Sequence, residues 1–430
     1  MLSRRKNRMM LLMLFVTGWL IVSSCSDDDD DVDADPTSTY TPTASLSPTT
    51  PFTPTETCSP TLTPTTAVTS TPTSTTTPKP TATKTATRTA TPTATPVVDL
   101  DFVWVECGGN STDSTIYYVS PSGNDSASGK SESTAFRTIA KAFKSVHPGG
   151  SIYILPGVYY ESIGIEGCGK AGTTITVTGY GSGTVILDGA HQGVIGMFCE
   201  DCQNITFQNL MVRNYTDIGL GGSLSNGLIF RNLTVYNNGH AVQLIGWELE
   251  GYGIDVDYSK NITIANNDVY QNGPNPQIFP EFLMGTGINT YGLKDSVIRN
   301  NNSHNNTGGG ILVEDSVNIL VENNQIYEND LDASEDEWWD GGIWLDGGHD
   351  VTIRNNVFRD NLGPGIEISD EDKQEPYGYV LENNISSSNY YGIFIWNFGT
   401  DDWPDESIIR EVNNQFTGNS IRDVWIEPWY

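Results

Sequence analysis

The chain has 430 residues, of which 37% are hydrophobic, so it is long enough to bury a sizeable core. Its formal net charge is −31, from 53 acidic and 22 basic side chains. Such an acidic chain repels nucleic acid and anionic membrane surfaces, which excludes both as partners. An anionic polysaccharide would bind only if cations mediate the contact.

Residues 1–24 are predicted to form a secretion signal. Basic residues at 4–8 precede an apolar run from Met9 to Val22, which is too short for a comfortable transmembrane helix. The sequence Val22-Ser-Ser-Cys25 resembles the lipobox of bacterial lipoproteins, and this resemblance implies a lipid on Cys25. The alternative is ordinary signal cleavage with Cys25 incidental. We therefore expect an extracytoplasmic protein that is lipid-anchored to the cell envelope, or exposed at the cell surface.

Residues 25–99 are predicted to be a disordered linker. Seven Asp residues lie between positions 27 and 35, and Thr-Pro repeats fill positions 36–97. Neither segment has the apolar residues needed for a core. We expect an extended spacer that holds the next domain away from the membrane.

Residues 100–430 are predicted to be the folded domain. Its first strand begins at Ile116, and apolar residues at helical spacing then predict a helix over Thr134–Val146, which Pro148 ends. An open end of a stacked sheet is an exposed edge, so we expect this helix to cap it. The first full coil is expected to begin at Ser151.

A repeat of the form Gly-apolar-x-apolar, followed by Asn and a short apolar strand, occurs eight times between residues 196 and 419. The spacing between the Asn residues is 23 to 34 residues, and the apolar residues alternate with period two. Short strands at this repeat length indicate a parallel β-helix solenoid, and the repeat is too short for propeller blades. The Asn residues are expected to form a structural ladder along one turn: Asn209, Asn232, Asn266, Asn300, Asn323, Asn355, Asn383 and Asn413.

The segment YYVSPSGNDSASGKSESTAFRTIAKAFKSVHPGGSIYILPGVYYE resembles the start of the right-handed parallel β-helix (pectin lyase-like) superfamily. It is most similar to the extracellular branch that includes family 9 pectate lyases, alginate lyases and epimerases, and some β-helix glycosidases. The resemblance implies an all-β, right-handed parallel β-helix over residues 116–430. The lyases of this branch use a calcium ion held by Asp residues and a Lys base, but those positions do not match residue by residue.

The four cysteines of the domain are expected to form disulfides, because the chain is predicted to leave the cytoplasm. They are Cys107, Cys168, Cys199 and Cys202.

Two columns of outward-facing residues are predicted on the strands that follow the repeated Gly. From the third coil onward they mix carboxylates with aromatic rings, as sugar-binding surfaces do. The first column is Phe198, Gly221, Asp255, Asn289, Leu312, Trp344, Glu367 and Phe394; the second is Glu200, Ser223, Asp257, Tyr291, Glu314, Asp346, Ser369 and Trp396. Insertions at 240–252, 274–286, 331–341, 370–377 and 398–406 flank this face and are expected to wall it into a groove.

Three functions fit this face, and the sequence favours the first, with the other two as alternatives. The first is a calcium-dependent polysaccharide lyase or epimerase that removes a C5 proton, with Asp255 and Asp257 holding Ca²⁺ and Lys260 or Lys294 as base. The second is a glycoside hydrolase that takes its acid and base from Glu314, Asp346 and Glu367. The third is a glycan-binding solenoid without catalysis. The aromatic residues expected to contact the sugar are Tyr291, Trp344, Trp396, Trp338 and Trp339. We expect a polysaccharide ligand and a monomer.

Overall fold

The computed structural model describes residues 100–240, 249–275, 283–333, 340–370, 377–396 and 409–427. The predicted signal, the linker and Cys25 lie outside these ranges, so the boundary at residue 100 stays a prediction. Within these ranges, no helix has both the length and the apolar character needed to cross a membrane.

Three parallel sheets, formed by strands numbered along the chain, make up the described fold. Sheet A contains β1 (Phe102–Glu106), β5 (Ser162–Glu166), β8 (Ile195–Glu200), β11 (Ile218–Ser223), β14 (Leu249–Asp257), β17 (Leu283–Tyr291), β20 (Ile311–Glu314), β23 (Ile343–Asp346), β26 (Ile366–Ser369), β29 (Tyr391–Ile395) and β32 (Arg422–Ile426). Sheet B contains β2 (Ile116–Val119), β3 (Ser151–Ile154), β6 (Ile175–Gly179), β9 (Ile205–Gln208), β12 (Ile229–Arg231), β15 (Thr263–Ala265), β18 (Lys294–Arg299), β21 (Val317–Glu322), β24 (His349–Arg354), β27 (Tyr379–Glu382) and β30 (Ile409–Val412). Sheet C contains β4 (Gly157–Tyr159), β7 (Val185–Asp188), β10 (Met211–Arg213), β13 (Thr234–Tyr236), β16 (Asp268–Tyr270), β19 (Asn302–His304), β22 (Gln325–Tyr327), β25 (Val357–Arg359), β28 (Ile385–Ser387) and β31 (Gln415–Thr417).

Each coil from β5 onward visits sheet A, then sheet B, then sheet C, so equivalent strands of successive coils pair in parallel. On β14, Ile254 and Val256 are fully buried in the core, whereas Asp255 between them points to the opposite side of the sheet. Ile254 pairs with Ile288 of the next coil, which continues the apolar column. The predicted parallel β-helix is therefore confirmed.

Asn residues occur in pairs at the turn between sheets B and C, and the two members of each pair have different roles. The first member, such as Asn266 or Asn323, adopts a left-handed conformation with φ near 56° and is exposed. The second member is buried: Asn324 accepts from Asn301 Nδ2 and donates to Asn356 Oδ1, both at 3.0 Å. A buried ladder exists, but at the Asn-Asn pairs its members are the residues that follow the predicted ones, because the first Asn supplies the backbone turn and the second points inward. Among the predicted residues, Asn413 Nδ2 donates to Asn383 Oδ1 (3.4 Å).

The ladder residues form two buried rows along the axis. One row sits between sheets B and C, and the other lies between sheet C and the following strand of sheet A. They are Asn267, Asn301, Asn324, Asn356 and Asn384 in the first row, and Asn238, Asn272, Asn306, Asn329, Asn361 and Asn389 in the second.

The predicted N-terminal helix is much shorter than the apolar spacing suggested. Only Ile139–Phe143 (α1) is α-helical, and a single 3₁₀ turn covers Glu132–Thr134. Asp125 Oδ1 accepts hydrogen bonds from the backbone N–H groups of Arg137 (2.8 Å) and Thr138 (3.0 Å). Thr138, which donates one of these hydrogen bonds through its N–H group, has an extended backbone and is the N-cap of α1. The helix therefore begins at Ile139 and not at residue 134. The helix packs against β1, β2 and β3, but its predicted capping role stays a prediction.

Only one pair of the four domain cysteines is bonded. Cys107 and Cys168 form a disulfide, whereas Cys199 and Cys202 are buried thiols. Burial raises the pKa of the Cys199 thiol, and contact with Cys202 adds to the effect. The expectation of disulfides at all four positions is wrong for Cys199 and Cys202.

Candidate functional site

The two predicted columns lie side by side on the outer face of sheet A, in the predicted register. In the first column, Asp255 pairs with Asn289, and Trp344 pairs with Glu367 on the next strand. In the second, Glu314 pairs with Asp346. Trp396 directly follows β29, and its backbone N–H donates to Ile368 of the neighbouring strand. The stacking of successive coils therefore brings the predicted residues onto one face.

This face is shielded, although its side chains point away from the core. Asp255, Glu314, Trp344, Asp346 and Glu367 expose only 2% to 5% of their surface. The side chains point outward as predicted, but alternation along a strand fixes their direction and not how deeply they lie. Charges in such a shielded setting interact more strongly than they would in water. The predicted insertions contribute part of the strands themselves, since β14 and β17 already begin at Leu249 and Leu283.

Two hydrogen-bonded units fix the carboxylates of this face. Trp344 Nε1 donates to Ser369 Oγ (2.6 Å), and that hydroxyl donates to Asp346 Oδ1 (2.8 Å). Trp396 Nε1 donates to Glu367 Oε1 (2.6 Å). The indole of Trp396 therefore holds a carboxylate directly, and the indole of Trp344 holds one through the hydroxyl of Ser369.

Tyr291, predicted to contact the sugar, is almost fully buried and lies 4.8 Å from the ring of Tyr258 in an edge-on arrangement. Burial raises the pKa of Tyr291, and its hydrogen bond with Tyr258 contributes further. Tyr258 is 43% exposed, so it offers the accessible ring of this pair. The sequence could have indicated it, because Tyr258 directly follows Asp257 at the end of the same strand.

The predicted calcium ligands Asp255 and Asp257 stay a prediction. Asp255 Oδ1 accepts a 2.6 Å hydrogen bond from Asn289 Nδ2, so this oxygen is occupied by an amide donor. Among the described residues, no group of three or more His, Cys, Asp or Glu side chains is placed to hold a metal ion. Because the carboxylate of Asp255 can only accept, the amide of Asn289 must turn its oxygen away from it. That oxygen is buried without a hydrogen-bond partner and can accept a hydrogen bond from a ligand hydroxyl.

The predicted bases Lys260 and Lys294 do occupy equivalent positions, since they form a β-bridge with each other. Both side chains are exposed, and Lys294 is the first residue of β18 in sheet B. They therefore belong to the turn that leaves sheet A, beyond the two columns. Trp338 and Trp339 lie outside the described residues.

Three carboxyl groups that the sequence analysis did not name form a cluster with Glu367 of the first column. We call it the acidic cluster; it comprises Asp330, Asp332, Asp340 and Glu367. Asp340 Oδ2 accepts from the backbone N–H of Gly309 (3.1 Å), and Asp330 is 1% exposed. Burial raises the pKa of Asp330, and the charges of Asp332, Asp340 and Glu367 raise it further. Burial also raises the pKa of Asp332, to about 6.

Comparisons with known proteins agree with this architecture. The sequence model of the family "Right handed beta helix region" matches residues 248–421. The chain is 27% identical over 339 residues to the uncharacterized protein YwoF of Bacillus subtilis (strain 168), covering 69% of this chain and 68% of that one.

Among solved structures, pectate lyase Pel9A superposes with a TM-score of 0.55 at 20% identity, covering 74% of this chain and 80% of that one. The GH136 lacto-N-biosidase of Eubacterium ramulus matches at a TM-score of 0.45 and 15% identity, covering 73% of this chain and 67% of that one. The described chain has a parallel β-helix fold, and residues 248–421 match the family model of the right-handed β-helix region.

Proposed function

We propose that the outer face of sheet A binds a polysaccharide and hydrolyses its glycosidic bonds with carboxyl groups. The observation that carries this proposal is the fixed placement of Asp346 and Glu367 by the hydroxyl of Ser369 and the indole of Trp396. Carbohydrate activity is also supported by the kind of proteins that share this fold.

Asp346 and Glu367 lie one strand apart and in different columns. A strand spacing of ~4.8 Å and two residues along a strand put their backbone positions about 8 Å apart. Carboxyl groups separated by roughly 6.5–9.5 Å suit an inverting hydrolase, in which one protonates the leaving oxygen and the other activates water. In this scheme Glu367 is the acid and Asp346 is the base. Glu314 pairs with Asp346 in the same column, at the shorter spacing that suits retention.

The second candidate is a calcium-dependent lyase or epimerase acting on a uronate-containing glycan. Its support is the fold shared with pectate lyase Pel9A. The described residues favour it less, because Asp255 is engaged by an amide donor and both candidate lysines lie beyond the columns. A glycan-binding solenoid without catalysis is the outcome if no bond is cleaved.

We also infer the cellular setting from the N-terminal sequence. Lipidation of Cys25 would tether the domain to the cell envelope through an extended linker of residues 26–99. Metabolic labelling with a lipid precursor, compared between the wild type and Cys25→Ala, tests this inference.

A glycan screen tests the function. The protein is incubated with pectate, alginate and neutral polysaccharides, with and without a calcium chelator. Hydrolysis produces new reducing ends without ultraviolet absorbance and persists in chelator. Ultraviolet-absorbing ends that disappear in chelator would establish the lyase instead, and retention of a glycan without any new ends would establish a binder.

A further inference from the structure

The outer face of sheet A has a one-sided distribution of charge. Among the described strands of this sheet, the ten from β1 to β29 contain no Lys, Arg or His. A ligand on this face therefore meets acidic groups of the sheet and no basic one. The two columns hold six carboxyl groups, which are Asp255 and Glu367 in the first and Glu200, Asp257, Glu314 and Asp346 in the second.

The segments around this face are acidic as well. Lys260 and Lys294 are exposed and form a β-bridge with each other in the turn that leaves sheet A, beyond the two columns. The sequences of the five insertions predicted to flank the face contain sixteen Asp and Glu residues, and their single Lys or Arg is Lys373. Like charges repel most strongly where water is excluded, as it is from these buried carboxyl groups. A glycan whose sugars carry carboxylates is therefore disfavoured on this face.

Asn289 gives this face a position for a hydroxyl group. It is fully buried, and its neighbours in the first column are Asp255 on one side and Leu312 on the other. Its Nδ2 donates to Asp255 Oδ1 at 2.6 Å, whereas its Oδ1 is buried without a hydrogen-bond partner. The side chain of Leu312 has no donor, and a buried acceptor without a donor is unfavourable. A sugar hydroxyl can donate the missing hydrogen bond, and an ionised carboxylate cannot.

The edge of the same strands is open to solvent. Asp257 is partly exposed, and Tyr258 exposes 43% of its surface. The ring of Tyr258 lies 4.8 Å from that of Tyr291 on the next coil. Asn289 and Tyr291 are outward-facing residues of β17 and are separated by two positions, or about 7 Å along the strand. An accessible aromatic ring thus lies at the edge of the face, within the span of a short oligosaccharide from Asn289.

We propose that the outer face of sheet A selects glycans without carboxylate groups, and that Asn289 contributes to this preference by accepting a hydrogen bond from a sugar hydroxyl. The inference rests on the proposed function, because it names the class of substrate that the same site takes, a neutral polysaccharide. Asp255 holds the NH₂ group of Asn289, so the amide oxygen is the atom that meets the ligand. A uronate in this position brings a further negative charge beside Asp255 and no donor on its carboxylate.

Affinity electrophoresis of the full-length protein tests the preference without requiring catalysis. The gels contain a neutral β-glucan, galactan or mannan, or one of the uronates pectate and alginate, with and without a calcium chelator. At least one neutral polysaccharide is expected to retard the protein, with an apparent Kd at least tenfold lower than that of either uronate. A smaller difference, or no retardation by any neutral polysaccharide, would overturn the proposal. A neutral polysaccharide that is bound but yields no new reducing ends would refute the hydrolase and leave this inference standing.

Asn289→Ser tests the residue itself. A serine at this position can still donate to Asp255, as Ser369 donates to Asp346 from the paired strand (2.8 Å), but the amide oxygen is lost. The variant is expected to bind the neutral polysaccharide about tenfold more weakly. Asn318→Ser is the matched control, because Asn318 Nδ2 donates an equivalent 2.6 Å bond to an aspartate on sheet B. Circular dichroism verifies folding, and Asn289→Thr replaces the serine variant if that variant is unfolded. Wild-type affinity in the folded variant, or an equal loss in the control, would refute the role of Asn289.

Discussion

Trp396 Nε1 donates a 2.6 Å hydrogen bond to Oε1 of Glu367, which joins the end of β29 to the neighbouring strand β26. An indole N–H that is directed at a buried carboxylate fixes where that carboxylate lies. The same strand order brings Ser369 to Asp346, so both proposed catalytic groups are held by side chains of the adjacent coil.

We predict that Trp396→Phe lowers cleavage about tenfold, because the ring is kept and only the hydrogen bond to Glu367 is lost. The measurement is kcat/KM on a glycan that the wild type cleaves. Trp425→Phe is the control, since it removes an equivalent 2.6 Å bond from an indole to Glu427, two strands from Glu367 on the last described strand of sheet A. Equal losses in the two variants would show that Trp396 has no special role.

Asn324→Ala is predicted to lower the free energy of unfolding by about 2–4 kcal/mol, because it removes the acceptor of the backbone N–H and Nδ2 groups of Asn301 and the donor to Ile298 O and Asn356 Oδ1. The measurement is urea unfolding followed by circular dichroism. Asn323→Gly, one residue earlier, should change stability little, because glycine adopts the left-handed turn readily. A reversed order of the two effects would contradict the assignment of the ladder.

Stability is predicted to fall as the pH rises from about 4 to about 6. Burial raises the pKa of Asp332 from 3.8 to about 6, so the folded protein binds more protons than the unfolded chain in this range. The stabilisation is complete below pH 3.8 and is lost as the pH passes the folded-state value. Asp332→Asn should remove this fall, which is on the order of 3 kcal/mol, because each of the roughly two pKa units of the rise corresponds to about 1.4 kcal/mol. Parallel stability curves for the wild type and the variant would argue against the buried contact.

Replacing both Cys107 and Cys168 with Ala is predicted to cost about 4 kcal/mol, because their disulfide joins residues that are 61 positions apart. Reducing agent should destabilise the wild type to a similar degree and leave the double variant unchanged. A thiol reagent should label Cys199 and Cys202 only after unfolding. Labelling of these two thiols in the native protein would contradict their burial.

The sequence predicted the alignment of the site but not its depth. Pairs such as Glu314 and Asp346 could be aligned because stacked parallel strands carry equivalent residues at equivalent positions. Alternation cannot reveal that the columns are shielded, since depth depends on tertiary packing above the sheet. Asp330 and Asp332 were missed because they lie in a turn outside the repeat, where no periodicity marks them. The ladder was predicted at Asn323 instead of Asn324, because the sequence of an Asn-Asn pair does not show which member points into the core.

The rate at which Glu367→Gln cleaves a polysaccharide substrate tests the central claim most directly. Removing a general acid should reduce the appearance of reducing ends by about 10²–10⁴-fold. Glu382→Gln, on the outer side of sheet B, should retain the wild-type rate. Equal rates for the wild type and both variants would contradict the account, and so would a wild type that releases no reducing ends from any glycan tested.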